Sequence, residues 1–198
     1  MDVEIMMAVP IVVTARYEST GCSRVEAEVD FFDVLRARHS TREFSARNVA
    51  NRELKKILMA ADAAPSAGNL QSYRIVVIHE GQTKAALARA ACGQDSITSA
   101  PVVLVFCADP NISSAKYADR GAELFCIQDA TIAASYAQLS ATALGLASVW
   151  IGAFDEKLVR DIVGGLKPIC ILPVGYAAAK PDITSRRKLD ELVHQEHL

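Results

Sequence analysis

The chain is short of aromatic residues, at 6%, and has no excess of one charge: 21 Lys and Arg meet 23 Asp and Glu. A protein built to hold nucleic acid carries a basic face, so this balance argues against such a partner. No apolar run approaches the ~20 residues of a membrane-spanning helix, and no membrane partner is expected. The five cysteines, Cys22, Cys92, Cys107, Cys126 and Cys170, form no C-x-x-C pair and no metal-ligand spacing. Cys107 and Cys170 lie inside apolar runs, where cysteine serves as a small core residue. An odd count without a disulfide framework points to a reducing compartment, here the cytoplasm. His39, His79, His194 and His197 lack zinc-like spacing. There is no G-x-G-x-x-G, no P-loop and no G-x-S-x-G elbow, which excludes the Rossmann fingerprint, that nucleotide cradle and the serine-hydrolase turn. No closely spaced carboxylate pair is poised for acid–base work, so no catalytic side chain is assigned.

What is present is an ordinary globular composition of 198 residues, 51% of them apolar. A chain of this length buries roughly 70% of its unfolded surface and needs no staples. Residues 5–15 have the apolar character of a signal-peptide centre, but Asp2 and Glu4 precede them where such a signal carries Lys or Arg. Residues 1–29 therefore read as an N-terminal extension, and residues 30–198 as one domain. In that domain Asp30 caps a first helix, and Asn51 a second whose Leu54, Ile57, Leu58 and Ala61 recur at helical spacing. Strands are expected at Ile75–His79, Val102–Cys107, Val149–Gly152 and Ile169–Tyr176, with a helix from about Gln82 to Ala91. Asp155 caps a later helix that Gly164-Gly165 closes. Asp119–Leu144 reads as one long Ala-rich helix. Its large apolar stripe and its face of Ala130, Ala133, Ala134, Ala137 and Ala141 suggest burial on two sides, the second against a partner subunit.

Three polar clusters stand out. Arg38-His39-Ser40-Thr41-Arg42 offers two guanidiniums, an imidazole and a hydroxyl, a set suited to a phosphate. The same residues also suit a solvated helix end with dipole-compensating arginines. Pro65-Ser66-Ala67-Gly68-Asn69-Leu70-Gln71 offers donors and acceptors to a planar heterocycle or a ribityl chain. It equally fits a turn that satisfies its own backbone. In Trp150-Ile151-Gly152-Ala153-Phe154-Asp155, Gly152 admits close approach of a ligand to the backbone just before a helix start. A plain strand-to-helix turn looks the same. These polar groups suit holding a cofactor better than performing covalent chemistry.

In this order and spacing, the clusters resemble the FMN-dependent nitroreductase family, over about residues 31–196. Arg38–Arg42 is similar to the family's opening Arg-x-Ser-x-Arg/Lys motif. Ala64–Gln71 is similar to its A-P-S-x-x-N-x-Q loop. Gly145-Leu146 with Trp150–Phe154 is similar to its G-L-x-x-x-W-I-G segment. Gly175-Tyr176, Lys180-Pro181 and Arg186-Arg187 are similar to its last strand and basic tail. The resemblance implies an α+β fold with a mostly antiparallel sheet flanked by helices, in an intertwined homodimer with FMN at the interface. It implies that Arg38, His39, Ser40 and Arg42 hold phosphate and ribityl oxygens, and that Arg186 and Arg187 reach the phosphate from the tail. Pro65, Ser66, Ala67, Asn69 and Gln71 would line the flavin from the partner chain, and Gly152 and Ala153 would face its N5 and O4 atoms. NADH or NADPH would reduce the flavin, and a small-molecule acceptor such as a quinone or nitroaromatic would reoxidise it. A specialised enzyme of the same fold, for flavin fragmentation or reductive dehalogenation, and a non-catalytic flavin-binding protein are the alternatives. The chain departs from larger members in Ala108–Asp119, a stretch expected to leave little room for a lid.

Overall fold

The computed structural model describes residues 29–179 and 184–197. The extension, apart from Val29, and the Lys180-Pro181 pair lie outside the described residues. Helix α1 (Phe31–Ala37) begins where the Asp30 carboxylate accepts the Phe32 and Asp33 amides at 2.9 and 3.2 Å. In α2 (Asn51–Asp62), Asn51 is the first helical residue rather than the cap. Glu53 turns back to accept the Ala50 amide at 2.9 Å.

Strands β1 (Tyr73–Ile78), β2 (Val102–Ala108), β3 (Ala147–Ser148) and β4 (Lys167–Gly175) form an antiparallel sheet in the order β1-β2-β4-β3. Every residue of β2 is buried, and the strand's two-residue period decides what covers each side. Val102, Leu104, Phe106 and Ala108 pack with Ile57 and Ala61 of α2 and with the alanines of α6 (Cys126–Ala143). Val103, Val105 and Cys107 pack on the other face with Leu87 of α3 (Gly81–Ala90), Ile97 of α4 (Asp95–Ser99) and Val159 of α7 (Glu156–Val163). The result is the expected α+β architecture, helices on both sides of an antiparallel sheet.

From Asp119 to Ala143 the chain is continuously helical, as expected, with a π-helical turn at Gly121–Phe125 leading into α6; α5 (Pro110–Arg120) carries a break just before this stretch, at Ala118, with φ 48° and ψ −137°. The turn is held tight at Gly121, where an added Cβ would sit 2.6 Å from the Ser113 carbonyl carbon. Ala108–Asp119, expected to leave little room for a lid, is largely helical. One expectation is corrected: the small-residue face does not meet a partner. Ala130, Ala133, Ala134, Ala137 and Ala141 are fully buried against the chain's own sheet and α2, because small side chains let α6 lie close to the strands. Exposed large apolar groups lie elsewhere: on α1 and just before it (Val29, Phe31, Phe32, Leu35), on α2 (Met59), α6 (Tyr136) and α7 (Leu158), and in the tail (Leu189, Leu192, Val193). The short α4 was not expected, and β3 is two residues long rather than Val149–Gly152, although Ile151 does pair with Ile171. No helix among the described residues is long and apolar enough to cross a membrane.

Candidate functional site

The turn after α1 is stitched into the sheet. The Thr41 amide donates to the Ser148 carbonyl at 3.0 Å, and Ser40 bridges Ser148 in parallel. Further on, the Ser45 amide donates to Tyr176 at 2.8 Å, and the Ala178 amide to Glu43 at 3.0 Å. Residues 40–45 thus join the β3 edge to the exit of β4. Gly175 is needed there, because a Cβ would stand 2.5 Å from Pro101 Cδ and 3.0 Å from Phe44 Cδ1. The Tyr176 hydroxyl donates to Glu53 at 2.9 Å, and the Arg47 guanidinium lies 3.7 Å from the centre of the Tyr176 ring. Burial works to raise the Glu53 carboxyl. The Ala50 amide, the Tyr176 hydroxyl and Arg47 outweigh it, so the group sits below the usual carboxylate value.

On this frame Arg38 and His39 are half-buried, and Ser40 and Arg42 are exposed. None of Arg38, His39 and Arg42 has an ion pair among the described residues. Two guanidiniums without a carboxylate form a place for an anion. Beside them the buried Ser148 hydroxyl has no hydrogen-bond partner among the described residues. From Ser148 the chain runs along β4 to Ile151, whose amide donates to Ile171 at 3.0 Å. It then releases Gly152 and Ala153 as exposed backbone before α7. A Cβ on Gly152 would meet only the Trp150 indole, at 3.6 Å, so the space above it is open. The Asp155 carboxylate accepts the Leu158 amide at 2.9 Å, the expected cap.

The loop between α2 and β1 is shaped from within. Gly68, Asn69 and Gln71 all take positive φ, at 57°, 58° and 49°. The Ser66 hydroxyl accepts the Gln71 amide at 3.0 Å, and the Gln71 side chain donates to the Asp62 carbonyl and carboxylate at 3.2 and 3.1 Å. Pro65 and Asn69 are exposed, and Ala67 is half-buried. Sequence reading missed the residue that anchors this loop. Asp129, 2% exposed, accepts the Ala67 amide at 2.9 Å and the Ser72 amide at 3.3 Å. The signal was present: Asp129 is the one charged residue in Cys126–Ala143. Tyr73, 8% exposed, donates its hydroxyl to the Ala61 carbonyl at 2.9 Å and belongs to the core.

The clusters do not all meet in one chain. Tyr73, where the loop ends, pairs with Ala108 and through it with Lys167; Ser148, beside the Arg38–Arg42 turn, pairs with Val174 and through it with Val102. The two places lie roughly 20 Å apart along the strands and three strand spacings, roughly 14 Å, across them. The turn and Trp150–Asp155 share one sheet edge; the loop belongs to the other. The tail's side-chain hydrogen bonds and ion pair run within itself, with Arg187 on Glu191 at 3.1 Å and Arg186 exposed.

The Nitroreductase family model matches residues 35–94 and 88–176. The chain belongs to the nitroreductase family. This nitroreductase-family chain is 32% identical over 203 residues to a Thermus thermophilus protein named NADH dehydrogenase, covering 85% of itself and 98% of that protein. It is 30% identical over 173 residues to a Bacillus subtilis protein named FMN reductase (NAD(P)H), covering 79% and 70%. Among solved structures it is similar to the NADPH:FMN oxidoreductase of Vibrio harveyi complexed with NAD+, with a TM-score of 0.78 and 25% identity over 85% of this chain and 77% of that one.

Proposed function

We propose that this chain is an FMN-dependent oxidoreductase that draws on NADH or NADPH and works as a homodimer with flavin at the subunit interface. The observation that carries this reading is the separation of the clusters. A ligand touched by the Arg38–Arg42 turn, by Gly152-Ala153 and by the 65–71 loop needs the first two from one chain and the third from its partner. The exposed apolar groups of α1, α2 and α6 supply a face for that second copy. The names of the Bacillus subtilis and Vibrio harveyi proteins favour FMN and a nicotinamide.

The residues fit the cofactor. Arg38 and Arg42, without a carboxylate partner among the described residues, bind its phosphate bidentately. Ser40 and His39 reach ribityl oxygens. Arg186 and Arg187 add to the phosphate from the tail; the exposed Arg187–Glu191 pair is weak enough to exchange. The backbone of Gly152 and Ala153 faces the ring near N5 and O4. Pro65, Ser66, Ala67, Asn69 and Gln71 of the second chain wall the flavin, held in shape by Asp129. When bound, FMN supplies the redox chemistry, accepting a hydride from the nicotinamide and reducing a quinone or nitroaromatic. Residues 30–198 form the FMN-binding domain and residues 1–29 extend it; the free thiols of Cys92, Cys107, Cys126 and Cys170 support a cytoplasmic location.

The test is the purified protein itself. It should carry FMN and oxidise NADH or NADPH catalytically when a quinone or nitroaromatic is added. Loss of the reading would follow from a colourless protein that takes up no FMN. Reduction that stops after one equivalent would identify a carrier instead.

A further inference from the structure

The break near the end of α5 leaves a group of side chains that neither the core nor the turn requires. Lys116 and Tyr117 reach over the flavin-wall loop. A methyl group built on Gly68 would collide with the Tyr117 hydroxyl, and the Lys116 Nζ stands 2.7 Å from the same point. Tyr117 packs edge-on against Phe125, with centroids 5.1 Å apart at 84°. Lys116 lies 5.4 Å from the Tyr117 ring centre, and the Arg120 guanidinium 5.3 Å from that of Phe125. Lys116 and Arg120 are exposed, and neither has an ion pair among the described residues. Two cations without carboxylates, each over an aromatic ring, form a patch for a planar molecule that carries negative charge.

We infer that this patch, with Lys116 at its centre, selects substrates that carry an anionic group on, or tethered to, the ring that stacks on the flavin. The inference rests on the proposed role of the 65–71 loop as one wall of the flavin site, since that role puts Lys116 beside whatever stacks on the flavin. The anion has two sources, a carboxylate or sulfonate on the electron acceptor, or the phosphates of the nicotinamide dinucleotide. Attraction at an exposed site is screened by salt, so the selectivity declines as ionic strength rises.

The experiment compares 4-nitrobenzoate with 4-nitrobenzyl alcohol, a pair of similar size and different charge, using the FMN-loaded protein. The wild-type kcat/KM ratio of the first over the second should fall between 20 and 500 mM salt. In Lys116→Gln at low salt the ratio should drop roughly tenfold, the loss of one charge-assisted contact in a partly solvated place. Lys116→Arg should restore it, and Arg120→Gln should lower it less. If instead the acceptor ratio holds and KM for NADH and NADPH rises together in Lys116→Gln, the dinucleotide phosphates are the anion. If neither the ratio nor the dinucleotide KM changes, the inference is overturned while the oxidoreductase reading stands. A wild-type protein that oxidises no nicotinamide with either acceptor overturns both.

Discussion

Asp129 shows how much a single side chain organises here. It sits in a helix of small apolar residues and accepts amides from both ends of the 65–71 loop. Asp129→Ala leaves the buried Ser72 amide and the half-buried Ala67 amide without their acceptor, so unfolding in urea should show a loss of about 1–3 kcal/mol. Asp129→Asn keeps one acceptor oxygen and should lose less. Equal stability in all three proteins would remove Asp129 from this role. A second residue sets an alkaline limit. Burial pushes the Cys107 thiol from 9.0 up to about 11. Between those values the unfolded chain gives up the proton that the folded chain retains, so the unfolded state binds fewer protons and stability declines as pH rises. Below pH 9 this contribution is complete and flat. Cys107→Ala should therefore show a shallower fall of Tm between pH 9 and 11, and an unchanged slope would contradict it. At this scale the sequence exposed the polar clusters because their residue types are unusual together. It hid Asp129 because one acid in an alanine run says nothing about which amides it will meet.

Among elements, α5 and the break at Ala118 near its end were the least legible features. The stretch before Asp119 is mainly polar with no clear helical period, and alanine gives no sign of a positive φ. Gly121 alone hinted at an interruption. Its conformation is helical, at φ −64°, so Gly→Ala would ordinarily stabilise by about 1 kcal/mol. Here the methyl meets the Ser113 backbone, and overpacking should reverse the sign, with a net loss of about 1–3 kcal/mol. A thermal melt distinguishes the two, since a raised Tm in Gly121→Ala would mean that the contact yields. The capped helices were readable because Asp30 and Asp155 bond backbone amides within three residues. Helix α4 and strand β3 were not, being too short to show a period; sheet pairing and core burial place them.

For the whole molecule, the order of motifs along the chain gave the family and implied a loop acting from the partner chain; the strand register shows how far apart the motifs lie within one chain. That separation makes a prediction about mixtures. One chain carries Arg38→Ala with Arg42→Ala, and another carries Asn69→Ala with Ser66→Ala. Each alone should bind little FMN, as a charge-assisted phosphate contact is worth roughly 1.5–3 kcal/mol. In a mixed dimer one interface has both defects and the other has none. Coexpression with random pairing should recover about a quarter of the wild-type flavin content, because half of symmetric pairings are mixed. No recovery would mean that a single chain holds each flavin.

The stitches that hold Ser40 to Ser148 and Glu43 to Ala178 also set a timetable. During synthesis the turn near the chain's start waits for partners more than a hundred residues away, about ten seconds of elongation at typical rates. Until Ala178 clears the ribosome the two arginines have no edge to lie on. On the proposed arginine site, flavin capture is then expected to be the last event in the protein's birth, and a chain halted anywhere before Ala178 is expected to leave the ribosome colourless.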